Sequence, residues 1–166
     1  MTYMATIDEL VANGTLIPMG IRLNYPDVEN RKLYAVPAVR DWFEATLPAL
    51  EQFEPTDISP RLQARGLFRM YQSGERLEEG EEFKLMQPQD NDVYELRTAD
   101  LRIFGWFYRP AIFIATAADT MENVHSQSGL SSRHRDEVIR VRGTIGLDPP
   151  SHIQGASTEH VLFFGA

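Results

Sequence analysis

At 166 residues, with 43% hydrophobic and 24% charged residues, the chain has the length and composition of one globular domain. Its formal charge of −8 repels phosphate backbones, so contact with nucleic acid must rest on a local group of cations. The lack of cysteine excludes disulfides and thiolate metal sites; with no apolar run near the ~20 residues of a membrane span and no secretion signal, a cytoplasmic protein without a membrane partner is expected.

In chain order, Thr6-Ile7-Asp8-Glu9 reads as a capping box, with Gly14 stopping a short helix from about Ile7 to Ala12. Leu16 to Tyr25 is broken by Pro18 and Gly20 and supports at most an edge strand. Leu33 to Val36 is a better strand, stopped by Pro37. Val39, Trp42, Phe43, Leu47, Leu50 and Phe53 recur at three- and four-residue spacing. They predict one apolar helical stripe over about 38–53, which Pro48 bends or splits. A second helix has Ser59 as N-cap, Pro60 at its first position and Gly74 beyond its end. Its Leu67, Met70 and Tyr71 face the core. Arg61, Arg65 and Arg69 form a cationic ridge, either facing RNA or salt-bridged as helix surfaces are.

After Gly74 the pattern becomes that of short strands. Glu78, Glu79, Glu81 and Glu82 lead into Phe83 to Met86, and Pro88 to Asp92 makes a turn. Val93 to Arg97 alternates, 98–100 turns, and Leu101 to Tyr108 is rich in strand formers. Arg109-Pro110 interrupts before Ala111 to Ala115 resumes, which predicts an antiparallel meander of three or four strands. Residues 126–132 read as loop and Arg133 to Arg142 as helix. Val161 to Phe164 is too apolar for a free tail and is predicted to dock on the sheet. The expected fold class is α+β, one domain over residues 1–166.

A strand, two helices and a meander carrying Tyr94-Glu95-Leu96-Arg97 and Leu101-Arg102-Ile103-Phe104 resemble the RelE/HigB superfamily of toxins from type II toxin–antitoxin systems. The resemblance covers about residues 31–119. Residues 1–30 are then an N-terminal extension, and 120–166 a C-terminal helix and tail. It implies a RelE-like fold and cleavage of messenger RNA, often on the ribosome, by attack of the ribose 2′-hydroxyl on the adjacent phosphate. It implies no cofactor, and a cognate antitoxin encoded nearby as partner. Within the resemblance, Arg102 matches the strand arginine that contacts the reacting phosphate, and Arg97 its neighbour in the motif. Glu81 or Glu82 matches a carboxylate base, and His125 falls where members carry an acid. Arg65, Arg69 and Lys84 are candidate further RNA contacts. The turn between the strands leaves the relative facing of Arg97 and Arg102 open.

Structural roles compete for the same residues. Arg97 and Arg102 can pair with Glu95 or Asp100, the glutamates before Phe83 can form a solvated loop, His125 can be an ordinary loop residue, and Trp42 and Trp106 can belong to the core. The histidines at 125, 134, 152 and 160 lack helical metal-binding spacing, so no metal site is expected. Family members carry lysines or arginines after the last strand, where this chain has Ala117-Ala118-Asp119-Thr120. That departure and the acidic charge favour an alternative: a non-catalytic RelE-like binding module, or a toxin with a target other than RNA.

Overall fold

A computed structural model describes residues 4–155 and 157–163. Six strands among them form one mixed, mostly antiparallel sheet: β1 (Ile17–Pro18), β2 (Lys32–Ala35), β3 (Phe83–Leu85), β4 (Tyr94–Arg97), β5 (Leu101–Arg109) and β6 (Ile112–Thr120). Their order is β1-β2-β6-β5-β4-β3. Neighbours are antiparallel except β2 and β6, which run parallel with Leu33 beside Phe113. The meander expected from the alternating pattern is therefore β3 to β6. β6 continues to Thr120, well past the predicted end near Ala115, because Ala117 to Thr120 still pair with Leu101 to Phe104.

α1 (Ile7–Ala12) is capped as its sequence requires, Thr6 Oγ1 accepting from the Glu9 N–H at 3.1 Å. α2 (Pro37–Ala45) is shorter than the predicted stripe. Pro48 has no N–H to continue the helical ladder, and the chain passes instead into a single 3₁₀ turn, Leu47–Ala49. Val39 and Leu47 are buried, Trp42 and Phe43 are half-buried against the same core, but Phe53 is 57% exposed. The split expected at Pro48 is therefore seen, but the stripe does not continue as helix to Phe53. α3 (Pro60–Ser73) has the predicted bounds, with Ser59 Oγ accepting from the Leu62 N–H and Gly74 in the left-handed conformation at φ +86°.

Helices cover both sheet faces. On one, α2, α3 and the C-terminal α6 (Thr158–Leu162) bury Val39, Leu67, Phe68, Tyr71, Val161 and Leu162 against Leu33, Leu96, Ile103, Phe107 and Phe113. On the other, α1 and α5 (Leu130–Thr144) bury Leu10 and Val138 with Phe104, Trp106, Tyr108, Ile114 and Leu147. Covered on two sides, β5 is buried from Leu101 to Tyr108, so its sequence is almost continuously apolar rather than alternating. Gly105 sits at a register shift in this strand; a Cβ there would lie 2.1 Å from the Ile114 carbonyl oxygen.

Both predicted extensions are built into these layers. Ala5 and the 146–148 segment exchange backbone hydrogen bonds (Ala5 N to Gly146 O at 2.8 Å, Asp148 N to Ala5 O at 2.9 Å). Residues 126–132 are mostly not loop. α4 (Met121–Ser126) follows β6 at once, with Thr120 Oγ1 as its cap, and α5 begins three residues earlier than expected. Val161 and Leu162 dock on the sheet as predicted, with Arg31 Nε donating to the Leu162 carbonyl at 2.9 Å; Phe164 lies outside the described residues. Among the described residues no helix is long and apolar enough to cross a membrane.

Candidate functional site

Strand register decides what the sequence left open. Arg97 of β4 stands directly opposite Arg102 of β5, and Arg102 stands opposite Asp119 of β6. Opposed residues share a face, so both arginines point to the side covered by α5. Lys84 of β3 and Glu95 of β4 are likewise opposed on that face. Like charges directly across a sheet are unfavourable. Glu95 offsets this: its Oε1 lies 3.3 Å from Arg97 Nε and 3.9 Å from Arg102 Nε. Asp100, the other predicted partner, turns to the opposite side. It accepts from Gln63 Nε2 at 2.6 Å and from the Phe53 N–H.

Arg102 is only 6% exposed. Its Nη1 donates to the carbonyls of Thr98 (2.7 Å) and Leu101 (2.9 Å), which leaves Nη2 without a bond to any described residue. Burial, and then the neighbouring Arg97 charge, hold its pKa below the usual arginine value, although a guanidinium stays cationic at neutral pH. Arg97 Nη1 donates to the Gly80 carbonyl at 2.8 Å, while its Nε is buried beside Glu95 without hydrogen-bond geometry.

These side chains line a cleft of about 350 Å³ between the sheet and the C-terminal helices. β3 contributes Lys84, β4 Glu95 and Arg97, β5 Arg102, α4 His125, and α5 Ser131, Ser132 and Arg135. Four of the predicted site residues thus meet there: Arg97, Arg102, Lys84 and His125. Glu81 does not join them. It lines an adjoining depression of about 410 Å³ that shares Arg97 and Arg102 with the cleft. Arg65 and Arg69 lie on α3, across the sheet, and Arg69 is paired with Asp27 (3.0 Å) and Glu75 (3.1 Å).

Arg135, Ser131 and Ser132 were not singled out from the sequence. Arg135 donates to the Gln87 carbonyl at 3.1 Å and pairs with Asp136. Ser131 and Arg135 are one turn apart and so share a helix face, but only docking of α5 through Val138 tells which face meets the cleft. Asp119, the residue in place of post-strand cations, is held aside: Oδ2 lies 2.8 Å from His134 Nε2, and Oδ1 accepts from Asn123 Nδ2 at 2.9 Å. His134 itself stacks on Phe104 with ring centroids 4.7 Å apart. The cleft lining therefore carries four permanent cations, Lys84, Arg97, Arg102 and Arg135, against one carboxylate, in a chain that is acidic overall. Such a cleft suits an anion with several oxygens, since guanidiniums present forked donors to phosphate or carboxylate.

No family model matches this chain, and no curated protein or solved structure matches it either. Among the described residues no group of three or more His, Asp or Glu side chains is placed to hold a metal ion.

Proposed function

We propose that the chain is a RelE/HigB-like toxin that holds the phosphate backbone of messenger RNA in the cationic cleft and cleaves it by 2′-hydroxyl attack. One observation carries this: Lys84, Arg97, Arg102, His125 and Arg135, drawn from five separate elements, converge on a single cleft of an otherwise acidic protein. The order of strand, two helices and antiparallel meander supports the same assignment. In the reaction Arg102 and Arg97 stabilise the charge that builds on the phosphate, and His125, exposed on α4 beside the cleft, donates the proton to the leaving oxygen. Glu81, in the adjoining depression, takes the proton of the attacking 2′-hydroxyl, so the RNA must span both hollows. The natural partner on this view is an antitoxin encoded alongside, and the setting is the cytoplasm.

The test is cleavage of message by the purified chain with translating ribosomes at low salt, together with growth after induction of the chain alone. Arg102→Ala should slow cleavage about 10²–10³-fold, the value of one preorganised donor, and Arg102→Lys should restore little. A wild-type chain that cuts nothing and leaves growth untouched would end the ribonuclease proposal. A second reading, a cleft that binds anions without catalysis, is favoured by Glu95, whose carboxylate occupies the space between the two arginines. RNA binding without cleavage would select it.

A further inference from the structure

A second depression lies on the far side of the sheet from the cationic cleft, between the 21–27 segment and the outer face of α3. It measures about 490 Å³, and its lining includes Tyr25, Ile58, Leu62 and Gly66 with Arg22 and Arg65. Its apolar side chains are unusually bare: Tyr25 is 98% exposed, Ile58 58% and Leu62 53%. Three large apolar groups gathered in one groove are the signature of an interaction surface rather than of scattered surface residues.

Two features indicate what the groove receives. Gly66 lies inside α3, where glycine is less favourable than alanine by about 0.8–1 kcal/mol. Nothing lies within 4 Å of the Cβ position it leaves vacant, so nothing in the fold requires the small residue, and it forms an open notch one turn beyond Leu62. The charges are also unbalanced. Arg69 is satisfied by Asp27 and Glu75, but Arg22 and Arg65 have no hydrogen-bond or ion-pair partner among the described residues. A groove with apolar walls and two free cations, on a chain of charge −8, is complementary to an apolar ridge flanked by carboxylates.

We infer that this groove is the docking site for an acidic amphipathic segment of a protein partner, one apolar side chain of which seats on Gly66. The inference does not depend on what the cationic cleft binds. Helix-in-groove recognition of this kind needs apolar anchors at i, i+3/i+4 and i+7.

A labelled 18-residue helical peptide with leucines on one face and glutamates on the other serves as probe, and its lysine counterpart as control. Saturable binding of the glutamate peptide to the full chain is expected, with amide shifts confined to the 21–27 segment and the exposed face of α3. Gly66→Leu should abolish it by filling the notch. Arg22→Glu with Arg65→Glu should weaken it about tenfold, two exposed charge pairs being worth somewhat over 1 kcal/mol together. All variants should unfold at the wild-type denaturant midpoint or above. Equal binding of the lysine peptide, binding that survives Gly66→Leu, or no saturable binding would overturn the inference. So would self-association of the wild-type chain that Gly66→Leu abolishes, since the occupant would then be a second copy.

Discussion

Glu95→Gln should move stability and anion affinity in opposite directions. The carboxylate lies 3.3 Å from one guanidinium nitrogen and 3.9 Å from another, with Glu95 and Arg102 both buried. At an effective dielectric constant near 20, each such contact amounts to about 4–5 kcal/mol of gross attraction. Much of that is cancelled by the desolvation the folded state has already undergone. The measurable loss on removing one buried partner is about 3–5 kcal/mol. Arg97 is partly exposed and Arg102 keeps two carbonyl acceptors, so a loss of about 2–3 kcal/mol is expected here. An anion entering the cleft would meet one negative charge fewer, and affinity for a short oligoribonucleotide should rise about tenfold, equivalent to 1.4 kcal/mol. The salt dependence should steepen with it, because another phosphate can be neutralised. Urea denaturation and fluorescence anisotropy at several salt concentrations give both numbers on one protein preparation. A variant that is destabilised and also binds RNA more weakly would show that Glu95 orders the arginines for the ligand rather than competing with it. That result would refute the cleft as drawn.

The two tryptophans separate core from rim. Trp106 is fully buried and its Nε1 donates to the Ser151 carbonyl, so Trp106→Ala should cost about 3–5 kcal/mol in denaturation, whereas half-buried Trp42→Ala should cost clearly less. Equal losses would mean that the α2 face is covered in solution. His152 sets a pH dependence. Burial, then the charge of Arg142, lowers its pKa below the ordinary value near 6.5, although Asp92 Oδ2 lies 3.6 Å from Nε2. The unfolded chain therefore takes up the proton first on acidification. Stability from this group is complete above pH about 6.5 and is lost as pH falls through the lower folded value. His152→Gln should flatten that part of the stability curve, and an unchanged slope would exclude the histidine as its source.

Much of the architecture was legible because local signals agreed with the tertiary ones. Ser59, Pro60 and Gly74 mark the ends of α3 by backbone chemistry alone, and the alternation of 93–97 with the turn at 98–100 places β4 against β5. Pairing in register then follows from that turn, and it puts Arg97 opposite Arg102. The rest was not legible for separate physical reasons. Pro48 marks where the stripe from Val39 to Phe53 breaks, but its helical spacing does not reveal that the chain beyond Ala49 leaves the helical path. α5 is weakly patterned because it packs over a partly charged sheet face, so neither its start nor Arg135 stood out. Arg65 and Arg69 looked equivalent to the strand arginines as cations. Only topology separates them, since α3 lies on the other side of the sheet.

The row Arg97–Arg102–Asp119 bears on why a sheet covered on both faces leaves charge beneath a helix. Further along β5 this face is apolar, with Phe104, Trp106 and Tyr108 under α1 and α5, while Glu95 and Lys84 carry the charge across β4 and β3. A purely structural cluster would pair Arg102 with the carboxylate directly opposite it. Asp119 is that carboxylate, yet it turns to His134, Asn123 and the Thr120 N–H instead. The cations are thereby left facing the cleft, and His134 is the ionisable group among the three that hold the aspartate away from them. His134→Ala should release Asp119 toward Arg102 and weaken oligonucleotide binding about fivefold, close to 1 kcal/mol for one added partly exposed pair. Loss of the stacking on Phe104 would disturb α5 as well, so the decisive variant adds Asp119→Asn. With no carboxylate to swing inward, the double variant should recover wild-type affinity. If it binds as weakly as His134→Ala alone, the histidine acts by positioning α5 and its Arg135, and the aspartate has no part in setting the charge of the cleft.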